Sequence, residues 1–324
     1  MFLSFLGLAL NMKKESLTNN YSPLLIFTFN RPEHTKRLFE SLFKCELIEE
    51  TDCIVFCDFP KNKKDYRKNE EVKTLLNTIS EHNPFKSFEI ILQKDNKGLA
   101  SSIIYGVSFI INKYNKVIVL EDDLIVSVKF LRFMNDCLNF YETDERIWSI
   151  SGYSHNLKAF KKYKESIYLC GRSCSWGWAT WKNRWNLVDW DVSDYSKFKH
   201  NIFLRSKFAS WGRDMPTMLD AQMCGENSSW AIRWCYSQFK CQKYTIYPIN
   251  SFVENIGCDG SGTNFKEATS FYTTNNFDEG SYSLKYIEVN KTIKREFKKH
   301  NISTFKSRVY WLFRRLGLIR KKNG

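Results

Sequence analysis

Mainly apolar runs alternate with amphipathic segments along the first half of the chain. Residues 24–29, 53–57, 88–92 and 116–120 are such runs, typical of strands that are buried on both faces. Between them lie helical patterns, and the first begins at Pro32, a residue that suits the first turn of a helix. Strands that alternate with helices predict a parallel sheet with right-handed crossovers, and therefore an α/β fold. The other predicted helices cover residues 70–79, 96–112 and 128–141.

The second half of the chain follows a different pattern. Residues 170–190 hold five tryptophans and few helix or strand signals. Residues 228–240 are predicted to be helical, and residues 244–248 to form a short strand. A glycine-rich stretch, NIGCDGSGTN, follows at residues 255–264.

These patterns divide the chain into three parts. We expect an N-terminal extension at residues 1–21, an α/β domain at residues 22–265 and a basic C-terminal region at residues 266–324. The C-terminal region contains YWLFRRLGLIRKK, which mixes large apolar and basic side chains. Two interpretations remain open for it: a helix that lies in the interface of an anionic membrane, or a solvated tail.

The N-terminal extension begins with a short apolar run, FLSFLGLAL, which is too short to span a bilayer. Lys13 and Lys14 follow this run, whereas the positive charge of a signal peptide precedes its apolar part. We expect a surface-lying or disordered extension, or a chain that begins at Met12 instead.

Net charge and cysteine spacing narrow the class of protein. The net charge of +14 implies an acidic partner: nucleic acid, an anionic membrane or a phosphorylated substrate. Nucleic-acid binding is the weaker alternative, because the basic residues concentrate at the C-terminus and no known binding motif occurs. The ten cysteines contain no CxxC pair and have no zinc-finger spacing, so a reduced, cytoplasmic protein is expected. Membrane association would place it at the inner face of the cytoplasmic membrane.

The stretch VIVLEDDLIV places Glu121, Asp122 and Asp123 together at the end of a predicted buried strand. Adjacent carboxylates repel one another and cannot share a dry core without positive charge among them. Acidic residues after a strand can cap the next helix, but three within an apolar run favour a hard divalent cation, Mg²⁺ or Mn²⁺. Such a metal would bridge a diphosphate.

Polar residues also end two other predicted strands. Asn30 and Arg31 follow the first strand, and Asp58 follows the second. Ligands of parallel α/β sheets bind beyond the carboxyl ends of the strands. We therefore expect these side chains and the three carboxylates to face one crevice.

Six ordered sequence blocks resemble those of a group of bacterial sugar transferases. They are FTFNRPEHTKRLFESL, NKGLASSI, VLEDDLIVS, SWGWATWKNRW, WAIRW and NIGCDGSGT, and together they span about residues 22–265. VIVLEDD also resembles the DxD-type signature of GT-A glycosyltransferases, and its closest pattern is the EDD of the N-acetylglucosaminyltransferases that begin complex N-glycan branching. The resemblance implies a GT-A, Rossmann-like nucleotide-diphospho-sugar transferase fold and a metal-dependent hexosyl transfer.

Carried over to the carboxylate run, the resemblance implies three roles. Asp123 would coordinate the Mn²⁺ or Mg²⁺ that bridges the nucleotide diphosphate. Asp122 would lie by the nucleotide ribose, and Glu121 would contact the base side or the sugar.

The resemblance also places residues of three loops at the nucleotide. Asn30 and Arg31 would line the nucleotide pocket, Asp58 would approach the uracil, and Lys97 and Gly98 would hold the loop beside it. Gly98 permits close approach of the backbone, and the two basic side chains can oppose phosphate charge. The same sequences also suit ordinary structure, because NRP is a good turn and NKG a good helix start.

The tryptophan cluster at residues 170–190 has two interpretations. Aromatic faces with polar neighbours stack on sugar rings, which makes Trp178 a candidate donor or acceptor contact, and packing in the core is the alternative. Arg233, on the predicted helix that follows, is expected to steady the diphosphate or the acceptor.

The catalytic base is the point where this chain departs from the resembled families. An inverting transferase needs a carboxylate to take the proton from the acceptor hydroxyl. Those families carry an acid just before the tryptophan that matches Trp230, whereas here Ser228 and Ser229 occupy these positions. Glu226 is the nearest carboxylate, with Asp220 further upstream. Either Glu226 has taken the role, or the chain is an impaired enzyme that serves as a sugar-nucleotide-binding scaffold.

We therefore expect a glycosyltransferase that moves a sugar from a UDP-linked donor to a hydroxyl of a bacterial surface glycan or lipid-linked acceptor. Inversion at the anomeric carbon is implied by the resemblance.

Overall fold

The computed structural model of this chain describes residues 21–257, 277, 281–301, 305–315 and 318. The strands of the described residues are β1 Leu24–Thr28, β2 Asp52–Cys57, β3 Ser87–Leu92, β4 Lys116–Glu121, β5 Leu124–Val126, β6 Ile147–Ser151, β7 Ile167–Cys170, β8 Trp178–Trp181, β9 Tyr244–Pro248 and β10 Val253–Asn255. The helices are α1 Pro32–Leu42, α2 Tyr66–Glu81, α3 Gly98–Tyr114, α4 Phe130–Phe140, α5 Lys182–Trp185, α6 Tyr195–His200, α7 Ile202–Phe208, α8 Met215–Met223, α9 Trp230–Lys240, α10 Lys291–His300 and α11 Phe305–Arg315.

Eight of these strands form one sheet in the order β3-β2-β1-β4-β8-β6-β9-β7. β1 pairs in parallel with β2 and β4, β2 with β3, and β6 with β9. Only β8 and β7 run antiparallel to their neighbours within this sheet. The predicted α/β class with a mostly parallel central sheet is confirmed.

Helices cover both faces of the sheet, because the central strands are apolar on both sides. In β1, Leu24 and Ile26 pack with the apolar faces of α1, α2 and α4, whereas Leu25 and Phe27 pack with α3 and the tryptophans. Each buried side chain of this size contributes roughly 1.5–3 kcal/mol. This two-sided burial explains why the strands read as continuous apolar runs.

The strands and helices predicted for the first half are present, with ends that shift by up to four residues. The tryptophan-rich segment contains β8 and α5, and β7 ends at its first residue; the local sequence pattern did not predict these three elements. β8 lies between β4 and β6, so it is held by pairing with strands far away in the sequence.

The C-terminal region contributes to the core. Ile293 and Phe297 on α10 are fully buried in the cluster that contains Trp211, and Ile287 packs on the main core. Residues 281–301 therefore belong structurally with the α/β domain. Residues 1–20 and the predicted boundary after residue 265 lie outside the described residues.

Two further observations concern redox state and membranes. Nine cysteines of the described residues are free thiols. Among those same residues, no helix has the combination of length and apolar character that crossing a bilayer requires.

His155 is expected to make the fold acid-sensitive. Burial, followed by the charges of His300 and Arg172, lowers the pKa of His155 to about 3. The unfolded chain has the ordinary histidine pKa of about 6.5, so protons bind the unfolded state first. This part of the stability is complete above that pH and is lost as the pH falls toward 3. Urea unfolding at about pH 7 and pH 5 should show a loss of about 2 kcal/mol from this group.

His155→Phe removes this titration and keeps an aromatic ring against Phe297, so its stability should fall less between the two pH values. His82→Phe, at an exposed position, is the matched control for the loss of a histidine. Equal pH dependence in His155→Phe and the parent would contradict the assignment.

Candidate functional site

The carboxyl ends of β1, β2 and β4 meet at one edge of the sheet. Their register pairs Phe27 with Glu121 and Thr28 with Cys57, so the residues after each strand emerge side by side. Arg31, Asp58 and the turn after β4 all lie at this edge. The parallel register thus brings the predicted strand-end residues to one edge of the sheet, where ligands of such sheets bind.

Arg31 forms an ion pair with the carboxylates at the end of β4. Its Nη1 lies 2.8 Å from Oδ2 of Asp123 and 3.8 Å from Oδ1 of Asp122. All three side chains are largely buried. The guanidinium supplies positive charge among the carboxylates, and it comes from the turn between β1 and α1.

Burial changes the acidity of this cluster. Burial, then the charge of Asp123, raises the pKa of Asp122 to about 7, although Arg31 opposes the shift. Burial and the two neighbouring carboxylates raise the pKa of Glu121 well above its usual range. For Arg31, burial lowers the pKa, but the charges of Asp122 and Asp123 outweigh it and the pKa is raised. The guanidinium therefore stays charged, whereas the raised pKa values of Glu121 and Asp122 disfavour the ionised forms of these two acids.

A two-stranded ribbon holds Asp123 from the other side. β5 pairs antiparallel with β10, and the backbone N–H of Ile256 donates to the carbonyl of Asp123 at 2.9 Å. At Gly257, an added Cβ would collide with the Asp123 carboxylate. Glycine is required here because the backbone passes directly beside that carboxylate. Gly257 belongs to the NIGCDGSGT sequence block. Residues 258–263 of that block lie outside the described residues.

Asp58 organises the loop that precedes α3. Its carboxylate accepts hydrogen bonds from the backbone N–H of Lys97 at 3.1 Å and of Gly98 at 3.0 Å, and from Nδ2 of Asn96 at 3.2 Å. Gly98 has a φ of +70°, which favours glycine. In the structure, Asp58 positions this loop at the carboxyl edge of the sheet. Nζ of Lys97 lies 3.9 Å from the centre of the Tyr105 ring.

Asn69, which the sequence did not single out, joins the ends of β1 and β2. Its Nδ2 donates to the carbonyl of Phe29 at 2.6 Å and to that of Asp58 at 2.9 Å. Nearby, Nδ2 of Asn30 donates to Asp65 at 2.8 Å. The sequence holds one signal that could have identified Asn69: it is a polar residue on the buried face of α2.

Trp178 is a core residue. Only 1% of it is exposed, and its ring centre lies 5.1 Å from that of Trp230 and 5.7 Å from that of Trp234. It cannot reach a sugar, so the packing interpretation replaces the sugar contact. Trp176, from the same cluster, remains partly exposed and packs against Tyr153.

The start of α9 lies at the same edge of the sheet. This follows because the end of α9 leads into β9, and β9 begins at the opposite edge. Ser229 caps this helix by accepting from the backbone N–H of Ile232. Arg233 donates to the carbonyls of Ser229 and Trp190, so it holds the loop around that tryptophan. Burial lowers the pKa of Arg233.

Glu226 lies on the loop between α8 and α9, and its carboxylate contacts α11. The hydroxyl of Tyr310 donates to it at 2.8 Å, and Nη2 of Arg314 at 3.2 Å. Its side chain is partly exposed. Glu226 is therefore held beside the start of α9 by the C-terminal helix.

Asp220 has a structural role. It is fully buried, and Arg205 donates to its two oxygens at 2.8 and 2.7 Å, while the hydroxyl of Tyr195 donates at 3.0 Å. A carboxylate so enclosed does not reach an acceptor hydroxyl. The ion pair joins α7 to α8. The structure therefore gives Asp220 a packing role instead of the predicted role of catalytic base.

The strand-end carboxylates suit a metal that is shared with a ligand. Mg²⁺ is commonly bound by one or two carboxylates together with substrate phosphates, and Mn²⁺ accepts the same oxygen donors. Asp123, the predicted metal ligand, offers such a carboxylate at the strand end, beside Asp122. Across the part of the chain that the structure describes, no group of three or more His, Cys, Asp or Glu forms a site by itself. These residues fit a metal held jointly with a diphosphate.

Scans against protein-family models and against curated proteins find no match. Among solved structures, residues 1–349 of TarS from S. aureus, in complex with UDP, align at 9% identity over 72% of this chain and 59% of that chain, with a TM-score of 0.43. The same TarS residues in a second structure align at 7% identity over 71% and 59%, with a TM-score of 0.42. WbbM, a bifunctional glycosyltransferase, aligns at 11% identity over 41% and 23%, with a TM-score of 0.28.

This chain thus spans between 23% and 59% of the length of these solved structures. Their identities and TM-scores are too low to carry an argument about its activity.

The structural role of Asp220 predicts the behaviour of Asp220→Asn. Removal of one partner leaves Arg205 buried and unpaired, so the free energy of unfolding should fall by about 3–5 kcal/mol. Chemical denaturation measures this loss, and Asp191→Asn, at an exposed carboxylate, is the matched control. Unchanged stability together with lost activity would return Asp220 to the catalytic candidates.

Proposed function

We propose that this protein is a metal-dependent GT-A glycosyltransferase that uses a UDP-linked sugar. The observation that carries the proposal is the meeting of Arg31 with Asp122 and Asp123 at the carboxyl edge of a parallel sheet. Acidic and basic groups at this edge match the two needs of a nucleotide diphosphate: a bridging cation and a direct phosphate partner. The ordered sequence blocks support the same function.

Donor binding would exchange partners within this cluster. Arg31 holds Asp123 with a charge-assisted hydrogen bond, an interaction of about 1.5–3 kcal/mol. An arriving diphosphate gives the guanidinium a second anionic partner and frees the carboxylate. In the bound state Asp122 would lie by the ribose, Glu121 by the base or sugar, and Asp123 would hold the metal.

A bound Mn²⁺ or Mg²⁺ would neutralise the charge that develops on the departing diphosphate. The loop that Asp58 fixes would frame the nucleotide, with the backbone of Gly98 close to it. Lys97 would add positive charge beside the phosphates, and Asn30 would line the pocket.

The acceptor would arrive beside the start of α9. Its hydroxyl oxygen attacks the anomeric carbon, the bond from that carbon to the diphosphate oxygen breaks, and UDP leaves with the electron pair. Glu226 takes the hydroxyl proton, and the product is inverted at the anomeric carbon. Arg233 steadies the acceptor side through the loop around Trp190.

A bacterial surface glycan or a lipid-linked sugar is the proposed acceptor, and hexosyl transfer the proposed reaction. We also propose that the C-terminal region contacts an anionic membrane at its inner, cytoplasmic face, through the exposed side chains of Leu312 and Phe313 on α11.

A second candidate function, a sugar-nucleotide-binding scaffold, has one observation in its favour. Ser228 and Ser229 occupy the helix start where the resembled families carry an acid, and Ser229 serves only as a helix cap there. In a scaffold, Glu226 would serve to hold α11.

Asp123→Asn should remove the metal-dependent part of UDP binding. The amide is neutral and binds a hard cation poorly, so the Kd for UDP in the presence of Mn²⁺ should rise about tenfold or more. Isothermal titration of UDP with and without Mn²⁺ measures this effect. Glu40→Gln, at an exposed carboxylate on α1, is the matched control.

The proposal fails if the parent binds UDP equally well with and without Mn²⁺ and Asp123→Asn binds it like the parent. Loss of UDP binding in Glu40→Gln would show that the effect is not specific to the strand end.

Glu226→Gln should lower the release of UDP from a panel of UDP-hexoses by roughly a hundredfold or more, because a general base contributes about this factor. The KM for the donor should stay unchanged. Arg314→Met and Tyr310→Phe separate the role of Glu226 as a base from its contact with α11, and they should retain turnover. UDP binding without any turnover in the parent would favour the scaffold.

A further inference from the structure

The start of α7 exposes three consecutive apolar side chains. Ile202 and Phe203 expose 70% and 76% of their surfaces, and Leu204 exposes 36%. The first two are the most exposed large apolar residues of the part of the chain that the structure describes. The proposed reaction gives these side chains no role.

The helix does not need these side chains for its own stability. Asn201 caps α7 by accepting from the backbone N–H groups of Phe203 at 3.1 Å and Leu204 at 3.0 Å. On the inner side, Arg205 pairs with Asp220 and Phe208 is buried in the core. The apolar tip is thus exposed to water although capping and packing already hold the helix. An exposed apolar group of this kind marks an interaction surface.

The surroundings of this tip are basic. Residues 195–213 contain five lysines and arginines and no aspartate or glutamate. Arg205 is used internally, but Lys197 and Lys207 are exposed and Lys199 is partly exposed. Three exposed or partly exposed lysines thus flank the tip within five residues along the chain, which suits an anionic partner.

The C-terminal helix lies beside the same surface. Nη1 of Arg315 donates to the carbonyl of Lys199 at 3.4 Å, three residues before Ile202. On α11, Trp311 is buried, whereas Leu312 and Phe313 expose 44% and 40% of their surfaces.

The same helix also reaches the candidate base, because Tyr310 and Arg314 bind Glu226. The basic, apolar surface consequently borders the acceptor side of the site.

We propose that the tip of α7, residues 202–204, inserts into an anionic phospholipid bilayer while the surrounding lysines contact the headgroups. Three side chains at the end of one helix are few for a stable protein interface, which buries more than about 1,000 Å². Shallow apolar insertion together with several basic side chains is enough for reversible membrane binding. This inference goes beyond the proposed function, because lipid binding at α7 does not depend on the reaction.

The test is sedimentation of the full chain with vesicles of phosphatidylcholine that contain about 30% phosphatidylglycerol. The parent should bind these vesicles, bind less at high salt and bind weakly to phosphatidylcholine alone. Ile202→Ser/Phe203→Ser should reduce the vesicle partition coefficient at least about tenfold. Lys199→Glu/Lys207→Glu should reduce it as well and should weaken the salt dependence.

Two control variants test whether vesicle binding depends on the tip of α7, on any exposed apolar side chain, or on the C-terminal helix. Phe109→Ser removes a phenylalanine on α3 that is 53% exposed, and it should bind vesicles like the parent. Leu312→Ser/Phe313→Ser removes the exposed apolar side chains of α11. Because the α7 side chains are exposed, near-UV circular dichroism should show that the Ile202→Ser/Phe203→Ser variant keeps the parent fold.

Parent-like vesicle binding of the Ile202→Ser/Phe203→Ser variant would overturn the proposal, and loss only in Leu312→Ser/Phe313→Ser would assign the membrane contact to α11 instead. A second outcome would also overturn the proposal. If the parent does not bind vesicles but forms a dimer in size-exclusion chromatography, and the Ile202→Ser/Phe203→Ser variant is a monomer, the occupant of the tip is a second copy of this chain.

UDP titration in parallel keeps the two proposals apart. Intact UDP binding without vesicle binding overturns only the α7 inference, whereas vesicle binding that depends on the tip supports this inference even where UDP does not bind.

Discussion

The guanidinium of Arg31, next to the carboxylates of Asp122 and Asp123, allows the buried strand β4 to run into three acidic residues. A buried strand that ran into three acidic residues without a counter-charge would be strongly destabilised. Arg31 supplies this charge from the neighbouring strand end, and it can do so only because β1 and β4 lie side by side in parallel. The same contact places a carboxylate and a guanidinium side by side at one edge of the sheet, where the proposed diphosphate ligand would need both. Stability and proposed chemistry therefore depend on a single ion pair.

Side-chain and backbone contacts order the edge of the sheet around this ion pair. Asp58 binds the N–H groups that open α3, and Asn69 links the ends of β1 and β2. On the other side the ribbon of β5 and β10 presses Gly257 against Asp123. These elements come from four separate stretches of the chain. The ribbon positions Asp123, and the contacts of Asp58 and Asn69 order the neighbouring loops, so a ligand of the proposed kind would meet a largely ordered edge at a lower entropic cost of binding.

The C-terminal region links the acceptor side to the rest of the fold. α10 buries Phe297 in the core, and α11 follows it to bind Glu226 and the carbonyl of Lys199. A basic, partly apolar surface thus lies next to the candidate base. A lipid-linked acceptor held at a membrane would meet the protein on this side, so the geometry joins the two proposals without making either depend on the other.

Local periodicity was sufficient to predict strands β1 to β4, the helices that alternate with them and the gathering of Arg31, Asp58 and Asp123 at one edge. Each of these follows from patterns a few residues long and from the rule that parallel strands share a carboxyl end. The positive partner of the carboxylates, the burial of Trp178 and the enclosure of Asp220 were decided only in three dimensions. Arg31 and Asp123 are 92 residues apart, and β8 is set by strands on either side of it. Sequence pattern shows which face of an element is apolar, but which element covers that face depends on the packing of distant segments.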